Sequence, residues 1–445
     1  MPPAKQMKKQ QLYLATFGCQ MNEYDSGQMA RLMAEKNYVQ TEDITQADLI
    51  LLNTCTIREK AEHKAYSYLG RLRQLKKNKP ELLIGVGGCV AQQEGERLLK
   101  SIPHLDLVIG THRVCRLPQL VEEVSRTGRP VCLTDFDDRL PPAIRLNNGF
   151  KSVKAYLSIM QGCDNFCTYC VVPYVRGREI SRPAADILDE ARDLLRHGVR
   201  EIILLGQNVN SYGRGLKPRI TFPELIEKIA ALPGLARLRF TTSHPKDLSD
   251  ELIRALAEIE PLCEHVHLPV QSGSTPILTA MRRKYSREDY LARVEALRAA
   301  CPDLALTSDV IVGFPQETQA DFEQTMNLLD RVRFDGIYSF KYSDRPMTRA
   351  AEFENKISEE IKSERLSKLQ AFQKEISLAR NQVLVGQEVE VLVEGPSKRL
   401  GGQLTGRTRT NKIVNFAGEA EIHGRLVKLI IEAASANSLR GKVIS

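Results

Sequence analysis

Three cysteines in one short loop carry the most specific chemistry in this sequence. Cys163, Cys167 and Cys170 stand in QGCDNFCTYCVVP, with three residues between the first pair and two between the second. Thiolates spaced this closely can face one point, and soft sulfur ligands favour an iron–sulfur cluster or zinc. A zinc site wants a fourth cysteine or histidine close by. Here Val171, Val172 and Pro173 follow instead. Three protein ligands on a four-iron cluster leave one iron open, and an open iron can chelate a small molecule.

Cys19, Cys55 and Cys89 are far apart, yet each closes an apolar run: TFGC, LLNTC and VGGC. If those runs are parallel strands, the cysteines share one sheet edge, where open α/β folds bind ligands. Three thiolates there would hold a second cluster, again with one iron uncapped. A lone cysteine at a strand end is usually a small core residue. Three in register argue against that plainer reading. Cys115, Cys132, Cys263 and Cys301 match no constellation and read as small buried or semi-exposed residues. The histidines are scattered, and none demands a metal.

The elements that must position these residues follow from periodicity. Residues 11–18, 48–55, 81–88 and 105–111 are short apolar runs, separated by helix-like stretches over 23–36 and 58–76. Such alternation predicts an N-terminal parallel α/β sheet domain over residues 1–133. Residues 134–150, rich in Asp, Pro and Asn, read as a linker. A second α/β alternation has strands at 152–160, 201–208, 236–243, 265–270, 304–314 and 335–343. Six β/α units in a row predict a partial (β/α)6, TIM-like barrel over 151–380, and its catalytic loops gather at the carboxyl ends of the strands. The cysteine loop follows the first of them. Ser286 and Asp289 form a capping-box pattern. Pro183, with Ser181 upstream, fits a helix start, and Gly198 a helix end. A helix over 358–381 leads out. From 381 to 445 the pattern turns to short alternating strands between glycines, with Val389, Val391 and Val393 on one face. This predicts a small five-stranded β-barrel in the style of oligonucleotide-binding folds.

The three-then-two cysteine spacing, with aromatic Tyr169 before the last cysteine, resembles the radical S-adenosylmethionine superfamily. The resemblance narrows with NTC at 53–55, GGC at 87–89, YVRGRE at 174–179 and SRP at 181–183. These are similar to the methylthiotransferases, and the match runs over nearly the whole chain. It implies two [4Fe-4S] clusters as cofactors, with S-adenosyl-L-methionine bound at the open iron of the Cys163/Cys167/Cys170 cluster. One electron splits the sulfonium into methionine and a 5′-deoxyadenosyl radical. Cys19, Cys55 and Cys89 would hold the auxiliary cluster that handles the inserted sulfur.

Thr56, Ile57, Arg58, Glu59 and Lys60, with LLGQNVNSYG at 204–213, resemble the branch that methylthiolates carbon 2 of N6-isopentenyladenosine beside the tRNA anticodon. The branches acting on a ribosomal-protein aspartate or on threonylcarbamoyl-adenosine differ at both places. They remain alternatives, as does a non-catalytic iron–sulfur RNA-binding protein. By the same resemblance, partners are tRNA, an electron donor such as a flavodoxin or ferredoxin, and a sulfur donor, for a chain acting as a monomer.

Cofactor contacts are expected from polar groups at later strand mouths: Gln207, Asn208, Ser243, Gln271 and Asp309, with Gly313 in VIVGFPQE resembling the adenine-packing segment. Arg176 and Arg178, with Arg182, lie just past the cluster loop and suit cofactor carboxylate or tRNA phosphate. Lys398, Arg399, Arg407, Arg409 and Lys412 form a basic stretch with no acid between them, suited to RNA backbone contact. The resemblance makes this segment a TRAM domain. Two departures stand out: Gln316 replaces a usual glycine, and YSDRPMTRA at 342–350 replaces a usual YSPRPGTPA loop.

Bulk numbers agree. The chain of 445 residues has a formal charge of +8, compatible with an anionic partner but weak evidence alone. MPPAKQMKKQ lacks a following apolar stretch, and nowhere do roughly 18 apolar residues run together, so a cytoplasmic, non-membrane protein is expected. In a reducing compartment its ten cysteines are better metal ligands or catalysts than disulfides.

Overall fold

The computed structural model describes residues 9–56, 59–137, 140, 152–397 and 401–444. Ile57, Arg58, Lys398, Arg399 and most of the expected linker lie outside them. The chain forms two compact units. The first gathers the N-terminal sheet with Tyr156–Asp164 and Val171–Asp193, the second Asn165–Cys170 with Leu194–Ser445.

The first unit is built on strands β1 (Gln10–Phe17), β2 (Tyr38–Gln40), β3 (Leu49–Thr54), β4 (Leu83–Gly88), β5 (Leu107–Ile109) and β6 (Val131–Leu133). All are parallel, in the order β2-β1-β3-β4-β5-β6. β3 is LILLNT and buried throughout, as a strand covered on both faces must be. Its residues alternate between two cores. Ile50 and Leu52 join Leu69, Leu72, Ile84 and Val86 on one face. Leu49 and Leu51 join Met29, Met33, Leu117 and Val121 on the other. Helices α1 (Gln20–Ala34) and α5 (Leu117–Thr127) cover the second face, and α2 (Glu59–Asn78), α3 (Cys89–Glu94) and α4 (Glu96–Ser101) the first. The sheet expected from the sequence is present. The two strands that periodicity did not reveal, β2 and β6, are three-residue edge strands, too short to alternate visibly. Short β8 (Met160–Gln161) and β9 (Ile180–Ser181) pair antiparallel, with α6 (Val172–Val175) between them and α7 (Ala184–Arg196) after.

The expected partial barrel is also present. Strands β7 (Lys154–Ser158), β10 (Glu201–Leu205) and β11 (Arg237–Phe240) form one sheet, and β12 (His265–His267), β13 (Ala305–Val312) and β14 (Gly336–Lys341) another. A parallel bridge from Leu238 to Leu262 links them. Between strands run α8 (Phe222–Ala230), α9 (Asp250–Glu258), α10 (Thr275–Ala280), α11 (Arg287–Ala300) and α12 (Gln319–Val332). Ser286 and Asp289 make the expected capping box on α11, and Gly198 turns left-handed at φ 87° after α7. α13 (Glu359–Gln382) leads to a closed five-stranded barrel, ordered β15 (Glu388–Pro396), β16 (Leu404–Thr408), β17 (Ile413–Phe416), β19 (Leu439–Val443) and β18 (Leu426–Ala434). Val391, Val393, Val414, Phe416, Leu429 and Ile431 fill it.

The turn between β16 and β17 seats against the larger barrel. Arg237, fully buried, donates to the Arg407 carbonyl at 2.6 Å. Arg239 donates to the carbonyls of Thr408 (2.7 Å) and Arg409 (2.5 Å). This corrects the expectation of a bare basic stretch. Arg409 forks onto Glu264 (2.6 Å), Lys412 reaches Asp335 (2.7 Å), and Arg407 pairs with Glu394 (3.2 Å). Lys412 keeps only 12% of its side chain exposed. The neutralising acids come from distant sequence, so a local charge count could not see them.

Two departures from the resembled family have a visible conformational meaning. Gln316 and Met347 both adopt left-handed backbone, at φ 72° and 67°. Glycine takes that conformation without strain, so the loops keep the glycine-like path with a larger residue in place.

Candidate functional site

The N-terminal cysteines are assembled by the sheet. Cys19, Cys55 and Cys89 follow β1, β3 and β4, which are adjacent in the order β1-β3-β4. Close approach is enforced at Gly18, where an added Cβ would overlap the Cβ of Cys55. Cys55 and Cys89 are buried and Cys19 half-buried. The Cys55 thiol is the largest influence on Cys19, lowering it to about 6; burial opposes it, and Arg176 adds to it. Cys55 is in turn pushed up by Cys19 and Cys89.

A buried polar network orients this set. Asn22 accepts from the Cys19 sulfur at 3.2 Å and donates to the Asn53 side chain at 3.0 Å. Asn53 donates back to the Asn22 carbonyl (2.8 Å) and to Ser26 (2.9 Å). Arg176 is 2% exposed and pairs with Asp25 at 2.7 Å. Arg182 is buried against Glu190 at 2.8 Å. Both corrections have one cause: these guanidiniums point into the protein, so neither Arg176 nor Arg182 presents a surface to RNA phosphate. Arg178 does, with 72% of its side chain exposed beside Asp164.

The contiguous loop is held differently. Gly162 takes φ 81°, and a Cβ there would overlap the Arg178 carbonyl, so only glycine admits this turn. The Cys163 amide donates to the Gly177 carbonyl at 3.2 Å. Thr168 bonds Met281 and Ala280 carbonyls at 3.1 and 2.9 Å. Arg283 reaches the Cys167 sulfur at 3.5 Å. Among the described residues, no three Cys, His, Asp or Glu side chains already stand at metal-ligand spacing. The donor sets nonetheless fit iron–sulfur ligation: soft thiols, largely buried, beside fixed positive charge, with no carboxylate or imidazole completing a zinc tetrahedron.

At the carboxyl ends of the barrel strands, buried polar atoms lack partners: Asn208 Oδ1, Ser243 Oγ and His244 Nε2. Buried polar groups are normally satisfied, so such a set marks a place for a polar ligand. Asn208 is oriented by its Nδ2 bond to Asp247 at 2.7 Å. Burial, with Arg283 second, drives the His244 pKa far down, so its imidazole is neutral. Gln207 follows β10. Gln271 lies in left-handed backbone between Asp309 and Ile311 of β13. Asp309 is 3.5 Å from His267. Gly313 is crowded by the Lys362 stem and donates to Glu317 at 2.6 Å. Sequence reasoning missed Asn22, Asp25, His244 and Arg283. Only Asn22 has a local signal, its place three residues after Cys19.

Comparison with known proteins now decides the family. A tRNA-2-methylthio-N(6)-dimethylallyladenosine synthase of Syntrophus aciditrophicus is 50% identical over 442 residues, covering 98% of this chain and 95% of that one. The enzyme of the same name from Geobacter metallireducens is 51% identical over 434 residues, covering 97% and 98%. The chain belongs to the tRNA-2-methylthio-N(6)-dimethylallyladenosine synthase family. Models of the uncharacterized protein family UPF0004, the radical SAM superfamily and the TRAM domain match residues 11–110, 157–329 and 382–444. This is therefore a radical S-adenosylmethionine methylthiotransferase with a TRAM domain. In fold it is similar to the radical S-adenosylmethionine methyltransferase TsrM of Kitasatospora setae, solved with cobalamin and a [4Fe-4S] cluster (TM-score 0.58, 15% identity, 77% of each chain). Among the described residues, no helix is long and apolar enough to cross a membrane.

Proposed function

We propose that this chain methylthiolates carbon 2 of N6-isopentenyladenosine next to the anticodon of tRNA, in the cytoplasm. The observation that carries the reading is the placement of Cys19, Cys55 and Cys89 at the ends of three adjacent parallel strands. A radical enzyme that only cleaves S-adenosylmethionine has no need of it; one that inserts sulfur does. Cys163, Cys167 and Cys170 would hold one [4Fe-4S] cluster, and Cys19, Cys55 and Cys89 another. When bound, the clusters supply the electron that splits S-adenosylmethionine and the sulfur that is transferred; an unactivated C–H bond needs such a cofactor, because acid–base groups alone do not break it.

The chain's own residues do the rest. Asn22 fixes the direction of the Cys19 sulfur, and Arg176 balances negative charge on the thiol set. Asn208, Ser243 and neutral His244 offer unpaired polar atoms to S-adenosylmethionine, with Gln207, Gln271, Asp309 and Gly313 around them. Arg178 supports tRNA contact from the surface, with Arg407 less enclosed than Arg409 or Lys412. A flavodoxin or ferredoxin would deliver electrons to a monomer, and a separate donor would renew the sulfur. Residues 1–133, 151–380 and 381–445 serve as the three functional domains, with 134–150 as linker.

Mass spectrometry of tRNA nucleosides tests this. A strain lacking the gene should lose 2-methylthio-N6-isopentenyladenosine and accumulate N6-isopentenyladenosine. Unchanged methylthio-adenosine would sink the tRNA reading.

A further inference from the structure

Arg283 lies in MRRKYS, where its basic neighbours Arg282 and Lys284 are exposed while Arg283 is buried, at 4% exposure. Its Nε donates to the Tyr285 hydroxyl at 2.9 Å and its Nη2 to the Pro269 carbonyl at 2.8 Å. Its Nη1 faces the Cys167 sulfur at 3.5 Å and the Tyr169 hydroxyl at 3.4 Å. No carboxylate is among these partners. Other buried arginines each meet one: Arg176 meets Asp25 at 2.7 Å, Arg182 meets Glu190 at 2.8 Å and Arg365 meets Glu317 at 2.6 Å.

A buried guanidinium without a counter-charge is strongly disfavoured. Its partners are the Pro269 carbonyl, the Tyr169 and Tyr285 hydroxyls and the Cys167 sulfur, and of these the sulfur belongs to the ligand loop. We infer that Arg283 is a positioning residue for the Cys163/Cys167/Cys170 loop, holding the Cys167 sulfur and placing a fixed positive charge beside the cluster that loop binds. This rests on the reading that the loop binds a cluster. Hydrogen bonds to cluster sulfurs and nearby positive charge stabilise the reduced, more negative state. Arg283 thus eases the cluster's acceptance of the electron that S-adenosylmethionine cleavage consumes.

The experiment uses the full chain carrying Cys19→Ala, Cys55→Ala and Cys89→Ala, reconstituted anaerobically, so that any cluster sits on the loop. Iron and acid-labile sulfide are measured first: absence of both defeats the underlying reading of the loop, not merely the role of Arg283. Arg283→Gln and Arg283→Lys are then compared by electron paramagnetic resonance during a redox titration. Arg283→Gln should shift the midpoint potential to more negative values at equal iron content and slow single-turnover 5′-deoxyadenosine formation by roughly tenfold or more. Arg283→Lys keeps the charge but loses the fork, and should lie between the two. If Arg283→Gln does not load, Arg283→Lys alone decides, by a negative shift from the parent. A loaded variant with the parent's potential overturns the inference and leaves Arg283 as a brace for the Pro269 turn.

Discussion

The two cysteine sets do related chemistry from opposite constructions. Cys163, Cys167 and Cys170 sit within one eight-residue loop, and Arg283 reaches the Cys167 sulfur at 3.5 Å. Cys19, Cys55 and Cys89 come from three strand ends and exist as a set only when β1, β3 and β4 are in register. Their support is a network of Asn22, Asn53, Asp25 and Arg176. A contiguous loop carries its own ligand spacing, whereas a sheet-edge set borrows it from the fold. The loop should therefore tolerate loss of register between β1, β3 and β4 that the sheet-edge set does not.

The largest effect separates the two roles. Cys167→Ser should abolish both 5′-deoxyadenosine formation and methylthio product. Cys55→Ser should leave 5′-deoxyadenosine formation measurable while the methylthio product disappears. Liquid chromatography of both products in one reaction makes the comparison. Loss of 5′-deoxyadenosine in the Cys55 variant would mean the two sets are not functionally separable.

A smaller break tests the dependence on fold. Arg176→Met leaves Asp25 buried and unpaired, which typically costs about 3–5 kcal/mol. The chain has no tryptophan, so unfolding is best followed by circular dichroism. Iron bound to the sheet-edge set should fall with that stability while iron bound to the loop persists. Equal loss from both would contradict the contrast drawn above.

The second unit has a charge dependence of its own. Asp335 is buried, which opposes its ionisation, yet Lys412 and Arg380 outweigh burial and hold its carboxyl below the ordinary 3.8. A depressed folded pKa means the stabilisation is present above 3.8 and is lost as pH falls through the lower folded value. Asp335→Asn should cost roughly 1.5–3 kcal/mol at neutral pH, since charged hydrogen bonds are lost. The variant and parent should converge once the pH is below that window. Urea unfolding across a pH series shows whether they do; a gap that stays constant with pH would remove Asp335 as its source.

How much of this was legible in sequence follows the same contrast. The loop could be read from spacing alone because its geometry is local. The sheet-edge set could be read because each cysteine closes an apolar run, so three local patterns added up to one edge. The barrel strands and the β-barrel after them were legible from alternation. What was not legible depends on partners far away in sequence. Arg176, Arg182, Arg409 and Lys412 looked like surface cations until Asp25, Glu190, Glu264 and Asp335 met them. Arg283 is indistinguishable from Arg282 and Lys284 in composition, and only burial singles it out. Asn22 sits where a helix start would put any polar residue, and the bond to Asn53 that fixes its side chain needs β3 alongside.

The smallest effect sharpens the comparison most, because it sets two neighbours against each other. Arg176 and Arg178 are two residues apart in YVRGRE, and composition offers no reason to separate them. Arg176 is enclosed with Asp25, whereas Arg178 has 72% of its side chain in solvent, against a partly exposed Asp164 at 2.7 Å. An exposed pair of this kind contributes about 0–1 kcal/mol, screened further by salt. Arg178→Ala should therefore leave unfolding within about 0.5 kcal/mol of the parent. If Arg178 meets tRNA phosphate, the same substitution should weaken tRNA binding and reduce the slope of log K against log salt by about 1. Filter binding across a salt series measures that slope. An unchanged slope would take Arg178 out of the RNA contact, while a large loss of stability would show that it, like Arg176, belongs to the interior.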